Sequence, residues 1–299
     1  MSYYKILGLH REPFSTSPDP DFFYLSKEHD LALTNLLIEL HLRRGLSVIL
    51  GDVGTGKTTL SRKLVQCLRH RGEFILHVIL DPYFETEQHL LNSLVRNFEI
   101  PWDQYYGTQN SGAPAQVTAP QIGLMDLKEI FQKFLYDQCI IKNKTVVLIV
   151  DEAQKLSQES MEMLRVMLNY ETNENKLLQL VLLGQLELHS KIMRISNFFD
   201  RVSFKYALNP LSLDETRHMI HFRMKQAGYE DDGDFFFEDA VRLIHESARG
   251  YPRKIMMLCH RALKAVIMKD ATGVDERMVR NIIEEDVRSG WLTLQKSGF

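Results

Sequence analysis

A glycine-rich motif near residue 50 constrains this chain more than any other feature of its sequence. It fits the pattern G-x-x-x-x-G-K-[ST] and consists of Gly51, Asp52, Val53, Gly54, Thr55, Gly56, Lys57 and Thr58, followed by Thr59. Residues 46–50 form a short, mostly apolar run of strand length, and Leu60, Leu64 and Leu68 recur on one face of a helix. Strand, glycine loop and helix in this order are the context that confirms a phosphate-binding loop.

The residue types of the motif suit a phosphate. Its glycines let the backbone curl so that N–H groups point inward at phosphate oxygens, and the helix N-terminus adds partial positive charge. Lys57 can reach the β- and γ-phosphates, and the hydroxyl of Thr58 can ligate Mg²⁺. We therefore expect this chain to bind a nucleoside triphosphate, an interpretation that we prefer to an ordinary glycine turn.

Composition limits the classes of protein that fit. A length of 299 residues suggests about two domains, and the apolar share of 44% and the charged share of 25% are typical of a soluble globular protein. The net charge of −3 gives no overall basic field for nucleic acid. The cysteines, Cys67, Cys139 and Cys259, are far apart, which favours a reducing compartment. No apolar run approaches the ~18 residues of a membrane span, so we expect a cytoplasmic protein.

Two segments read as irregular. Residues 1–26 are rich in aromatic residues and proline, and so many rings must be buried against something. They form either a strap packed on a domain surface or one that also lines the base-binding side of the nucleotide pocket. Residues 101–123 are polar and rich in glycine and proline, which predicts a mobile surface loop that serves as a connector or as a docking segment.

A second candidate half-site follows the apolar run at residues 146–150. Asp151 and Glu152 come directly after it. Asp151 would hold Mg²⁺, directly or through water, and Glu152 would orient and polarise the attacking water. Acidic pairs also occur as plain helix caps, but the upstream phosphate loop favours the catalytic interpretation.

Further apolar runs at residues 74–80, 177–183 and 202–207 alternate with helical patterns. This alternation predicts an α/β fold with a parallel sheet covered on both faces, with ligands bound at its carboxyl edge. Gln185 follows the second of these runs, where a polar side chain beside the phosphate loop can contact the γ-phosphate or the water.

The chain becomes all-helical after Pro210. Ser212 and Glu215 have the spacing of a capping box that opens the first of these helices, and Asp275 is placed to cap the last one. Pro252 is suited to the first turn of a helix, because it fixes the start and biases Tyr251 away from helical geometry. These signals predict a separate helical domain.

The whole pattern resembles a AAA+ ATPase, and more closely the ATPase module of the general secretion pathway protein A (ExeA/GspA-like) family, over about residues 3–287. The segments that carry the resemblance are 3–9, Pro13-Phe14, 18–26, 45–46 with the phosphate loop through Thr59, 151–154, 184–188, Arg201-Val202, 208–212 and 250–255. The first block and the Gly-Tyr-Pro-Arg block, residues 250–253, are the most specific of them.

The resemblance implies an N-terminal strap and a RecA-like AAA+ domain over residues 1–208, then an all-helical lid over residues 209–299. It implies ATP and Mg²⁺ as ligands and Gln185 as the sensor on the sheet. It also implies Arg253 as a lid sensor that reaches the γ-phosphate, and Arg201 as an arginine finger toward a neighbouring subunit. The alternative for Arg201 is a surface arginine that pairs with Asp200 or Glu187.

Three functions fit the resemblance. The first is an oligomeric ATPase that drives or licenses assembly of a secretion, pilus or polysaccharide-export system through a protein partner. Family members in type II secretion carry a membrane span and a peptidoglycan-binding region after this module. The sequence ends at Phe299 without either, so we expect any association with the inner membrane to be peripheral and through a partner. The alternatives are an ATP-gated, DNA-associated regulator of the transposition-helper type and a slow nucleotide switch.

Overall fold

The computed structural model describes residues 3–101, 122–231 and 233–289. Contacts between these residues divide the chain into two compact units. The first comprises the described parts of Met1–His29, Val53–Arg62 and Asn209–Phe299, and the second comprises Asp30–Asp52 and Lys63–Leu208. The functional division at residues 208 and 209 stays a prediction. The loop expected at residues 101–123 lies, except for its ends, outside the described residues.

The second unit is built on a sheet of five parallel strands. They are β1 (Leu46–Gly51), β2 (Phe74–Ile79), β3 (Thr145–Val150), β4 (Leu178–Gly184) and β5 (Val202–Leu208), in the spatial order β2-β3-β4-β1-β5. Every residue of β3 and β4 is buried, so both faces of the sheet are covered at its centre. The predicted α/β fold with a parallel sheet is confirmed.

The α-helices of the described residues follow the sequence patterns closely. They are α1 (Tyr3–Ile6), α2 (Lys27–His41), α3 (Lys57–Arg69), α4 (Glu87–Asn97), α5 (Leu124–Tyr136), α6 (Gln158–Met167), α7 (Glu187–Arg194), α8 (Leu213–Gln226), α9 (Glu238–Ala248), α10 (Pro252–Lys269) and α11 (Glu276–Arg288). A π-helical turn, Asp137–Ile141, continues α5. Leu60, Leu64 and Leu68 are fully buried on one face of α3, as their spacing predicts.

Three helices of the first unit, α8, α10 and α11, begin where the sequence signals place them. The Ser212 hydroxyl accepts the N–H of Glu215 at 3.2 Å, and the Glu215 carboxylate accepts the N–H of Ser212 at 3.0 Å, which completes the capping box of α8. Asp275 accepts the N–H of Met278 at 2.8 Å and so caps α11. Pro252 is the first residue of α10. These caps fix the helix ends and therefore the position of the residues that follow them.

The aromatic N-terminal segment contributes to the core of the first unit. Phe14 and Phe22 are 1% and 3% exposed and belong to the same hydrophobic cluster as the helices α8 to α11. The buried guanidinium of Arg223 donates to the carbonyl oxygens of Pro13 at 2.6 Å and of Phe22 at 2.7 Å. Burial lowers the pKa of Arg223 to about 10. The segment is a packed strap, and its contribution to base binding stays a prediction.

Candidate nucleotide-binding site

The phosphate loop connects the end of β1 at Gly51 with the start of α3 at Lys57. Gly54 and Gly56 have φ angles of 88° and 99°, a left-handed conformation that strains any residue with a Cβ atom. A Cβ at Gly54 would lie 3.0 Å from the Cβ of Arg253, and one at Gly56 would lie 2.9 Å from Nε2 of His29. Both glycines are therefore required by the backbone angle and by a close neighbour.

The side chains of the loop divide into buried and exposed groups. Thr55 and Lys57 are buried, with 1% and 5% of their surface exposed, whereas Asp52 and Val53 are exposed. Lys57 is the first residue of α3, and the N-terminal end of that helix carries partial positive charge. Thr58 and Thr59 follow in the first helical turn and are half-buried. The loop and the N-terminus of α3 together form a site type that suits an anion.

The start of α10 touches this loop. The backbone N–H of Arg253 donates to the carbonyl oxygen of Gly54 at 3.3 Å, while the Arg253 side chain is exposed. The resemblance implies that Arg253 senses the γ-phosphate. The structure places its backbone against the phosphate loop, and its sensing role stays a prediction.

The carboxyl ends of the central strands meet at one edge of the sheet. Leu50 of β1 pairs with Gly184 of β4, and Val150 of β3 pairs with Leu182 of β4. The strand that delivers Gln185 is thus the direct neighbour of the strand that leads into the phosphate loop, as expected. At the end of β3, Asp151 is 2% exposed.

Glu152 and Gln185 are joined through a third side chain, Gln154. Its amide nitrogen donates to Oε2 of Glu152 at 2.6 Å, and its Oε1 accepts the backbone N–H of Gln185 at 3.1 Å. Glu152 has φ 51° and ψ 35°, a left-handed bend that is uncommon outside glycine. A Cβ at Gly184 would lie 2.7 Å from Cδ2 of Leu188 and 3.0 Å from Oε1 of Gln154, so a side chain there would displace both neighbours. The two predicted site residues are held in one hydrogen-bond network.

Sequence reasoning assigned no role to Gln154. Its side chain is 8% exposed, and its backbone oxygen accepts a hydrogen bond from Lys191 of α7 at 2.5 Å. A buried amide needs hydrogen-bond partners, and here the partners come from Glu152 and Gln185. The signal in the sequence is its place two residues after the acidic pair.

Arg201 immediately precedes β5, an edge strand whose neighbour is β1. It lies at the amino end of β5, about 20 Å along the strand from the carboxyl edge at ~3.3 Å per residue. Its guanidinium donates to the backbone oxygen of Asn197 at 2.8 Å and to Oδ1 of Asn169 at 2.5 Å. Its partners are therefore asparagine groups instead of Asp200 or Glu187. The role of an arginine finger stays a prediction.

Comparison with known proteins identifies the family to which this chain belongs. Residues 40–192, slightly more than half of the chain, match the family described as an AAA domain. The chain is 35% identical over 269 residues to the General secretion pathway protein A of Aeromonas hydrophila. That alignment covers 89% of this chain and 45% of the relative, so the chain spans less than half the length of that protein. The resemblance to this family is confirmed.

Solved structures share the fold. The structure of Drosophila ORC bound to DNA has a TM-score of 0.64 at 16% identity, over 96% of this chain and 66% of that chain. The Aeropyrum pernix ORC2 protein in its ADPNP-ADP complexes has a TM-score of 0.59 at 17% identity, over 92% of this chain and 71% of that chain. The predicted fold class, a RecA-like AAA+ sheet domain with C-terminal helices, is confirmed. This chain therefore belongs to the AAA domain family and is related to general secretion pathway protein A, and its parallel sheet and phosphate loop are consistent with that family.

Proposed function

We propose that the chain is a Mg²⁺-dependent ATP hydrolase that acts as an oligomer and drives or licenses assembly of a secretion, pilus or export system. The glycine loop after β1, together with the acidic pair after β3, supports hydrolysis. The 35% identity to General secretion pathway protein A supports the assembly role, which would require a protein partner.

The residues present fit a nucleotide with its metal. A Cβ on Gly54 or on Gly56 would lie within 3.0 Å of Arg253 or of His29, both of which pack against the loop. The loop backbone is thus held in a curl that suits a phosphate. The hydroxyl of Thr58 and the carboxylate of Asp151 are hard oxygen ligands of the kind that Mg²⁺ prefers.

In the proposed reaction, Lys57 and the backbone N–H groups of the loop bind the β- and γ-phosphates. Glu152 orients a water molecule against the γ-phosphate and takes its proton, and the products are ADP and phosphate. Gln154 fixes the Glu152 carboxylate through the bond at 2.6 Å. Thr58 and Asp151 would hold Mg²⁺, whose positive charge would offset the negative charge that develops on the transferred phosphate. Gln185 contacts the γ-phosphate or the water, so its backbone bond to Gln154 connects the sensor with the base.

In an oligomer, Arg201 would act as an arginine finger toward the adjoining subunit, a role that it could not have within a single chain. Its place at the amino end of β5 is far from the carboxyl edge of its own sheet. In a ring, that guanidinium would reach the phosphates of the adjoining subunit and stabilise charge on the transferring group. Such a finger is worth about 10³-fold or more in rate.

Mixing two inactive variants tests action between subunits. Arg201→Ala and Lys57→Ala should each be nearly inactive alone, whereas their mixture should recover part of the parent's ATP turnover. A mixed interface pairs an intact phosphate loop from the first with an intact arginine from the second. Turnover by the parent should also rise more than linearly with protein concentration. Steady-state phosphate release measures both effects.

Arg194→Ala is the control for this experiment, because Arg194 is an exposed arginine in the last turn of α7. It should behave as the parent does. Normal turnover by Arg201→Ala alone, at a rate per subunit that does not depend on protein concentration, would exclude Arg201 as the finger. The turnover of Arg194→Ala would then show whether Arg194 has that role instead.

Arg253→Ala should reduce the discrimination between ATP and ADP. An exposed guanidinium at the start of α10, beside Gly54, can bridge to the γ-phosphate, which ADP lacks. We expect ATP affinity to fall about tenfold while ADP affinity changes little, since one exposed charge contact is lost. Isothermal titration with both nucleotides measures the ratio, and Lys254→Ala on the next residue is the matched control. An equal loss for both nucleotides would indicate damaged folding, and the sensor role would be rejected.

The proposed protein partner would also determine where this protein acts in the cell. None of the helices in the described part of the chain combines the length and hydrophobicity that a membrane span requires. We propose a cytoplasmic protein that reaches the inner membrane through a membrane protein.

Affinity purification of Glu152→Gln with ATP, beside Lys57→Ala, tests whether such a membrane partner exists. Enrichment of one membrane protein with the ATP-trapped variant alone supports the assembly role. ATP-dependent, salt-sensitive DNA binding without such a partner would support the DNA-associated alternative.

A further inference from the structure

His29 contacts the backbone of the phosphate loop. It lies in the first turn of α2 and is 2% exposed. Its Nδ1 lies 2.6 Å from the hydroxyl oxygen of Ser26, and its Nε2 lies 2.9 Å from the carbonyl oxygen of Thr55. Because the ring is buried and both nitrogens have partners, its orientation is fixed by the surrounding structure.

The partners of His29 also fix its tautomer. A carbonyl oxygen only accepts hydrogen bonds, so Nε2 carries the proton that Thr55 receives. Burial lowers the pKa of His29, although the bond to Thr55 and the carboxylates of Glu28 and Glu215 act in the opposite direction. The ring is therefore neutral, and Nδ1 accepts the hydroxyl hydrogen of Ser26. His29 offers one N–H, and this N–H is committed to the phosphate loop.

This hydrogen bond sets the orientation of one peptide plane in the loop. In a trans peptide the carbonyl and the following N–H point in opposite directions. Because the Thr55 carbonyl points at His29, the N–H of Gly56 points away from the ring. The absence of a side chain at Gly56 permits this approach, since its Cβ would lie 2.9 Å from Nε2. Phe23 packs its ring edge-on against the imidazole at 5.1 Å and holds it in place.

We propose that His29 is a positioning residue for phosphate binding: its Nε2–H holds the Thr55 carbonyl so that the Gly56 N–H is presented to a nucleotide phosphate before the ligand arrives. This inference rests on the proposed nucleotide-binding function of the loop. Backbone N–H groups in such a loop bind phosphate oxygens, and a donor that is already oriented avoids the cost of ordering on binding. His29 therefore acts on nucleotide affinity and leaves the chemical step to other residues.

Two variants at this position separate the N–H donor from the packing of the ring. His29→Ala should weaken both ATP and ADP binding about threefold to tenfold, the range expected for one lost hydrogen bond. Turnover at saturating ATP should stay within about twofold of the parent, because only binding is affected. His29→Gln carries an amide N–H at similar reach and should restore most of the affinity. His41→Ala at the far end of α2 is the control. Titration calorimetry, turnover assays and melting temperatures are measured for all four proteins.

Parent-like affinity in folded His29→Ala would overturn the inference. A His29→Gln variant as weak as the alanine variant would also overturn it, because the N–H donor would then not be responsible. If the alanine variant does not fold, ¹⁵N-histidine NMR of the parent decides: a neutral Nε2–H ring that responds to ADP supports the inference, and a charged or Nδ1–H ring contradicts it. A parent that binds neither nucleotide overturns the proposed function as well, whereas the variant results overturn this inference alone.

Discussion

The substitution Lys57→Ala is expected to reduce the affinity for ATP at least about 30-fold while the protein stays folded. Lys57 is the cation of the phosphate loop, it is 5% exposed, and it opens α3. Its loss would leave the charge of the β- and γ-phosphates without this buried cation, which costs about 2 kcal/mol or more for a buried charged contact. Titration calorimetry with ATP, in the presence of Mg²⁺, measures the affinity.

Lys63→Ala provides the matched control for this substitution. Lys63 lies in the same helix, and its ammonium donates to Gln66 at 2.9 Å near the surface. This variant should bind ATP as the parent does and should melt at a similar temperature. A folded Lys57→Ala variant with the affinity of the parent would show that the phosphate site lies elsewhere in the chain.

Glu152→Gln is expected to bind ATP normally and to hydrolyse it about 10² to 10⁴ times more slowly, the usual contribution of a general base. The amide keeps the size of the side chain, and its oxygen can still accept the hydrogen bond from Gln154 that measures 2.6 Å in the parent. Only the negative charge that polarises water and takes its proton is lost. The variant should accumulate in the ATP state, which a phosphate-release assay with parallel binding measurements would detect.

Glu159→Gln is the matched control, because Glu159 is an exposed glutamate in the first turn of the following helix, α6. Its turnover should equal that of the parent. Unchanged turnover by Glu152→Gln would assign the base to another residue. A joint loss of ATP affinity and melting temperature would instead indicate that Glu152 maintains the bend at the end of β3.

Local patterns predicted most of the fold. The strand Thr145–Val150 could be predicted from the apolar run at residues 146–150, because both faces of the strand are buried in a parallel sheet. The starts of α8 and α11 could be predicted because a cap depends on residues three positions apart, such as Ser212 with Glu215 and Asp275 with Met278. A cap and its partner lie within a few residues of each other, and the burial of a strand is visible in its own apolar residues.

Features that depend on contacts between distant residues could not be predicted in this way. Gln154 meets Gln185 only because β3 and β4 pair in the sheet, and His29 meets Thr55 across 26 positions of the chain only through tertiary packing. The sheet order that places β5 beside β1 likewise depends on the crossover connections. The motif predicted which residues form the phosphate loop, and the structure adds the neighbours that contact it, His29 and Arg253.

Phosphate release from ATP by the full chain, measured with Mg²⁺ and with EDTA beside Lys57→Ala, tests the central claim most directly. The account predicts turnover by the parent that requires Mg²⁺ and that is lost in Lys57→Ala, because both the metal and the lysine compensate charge on the transferred phosphate. No release by the parent at any protein concentration, or equal release by Lys57→Ala, would contradict the proposal that this loop binds ATP for hydrolysis.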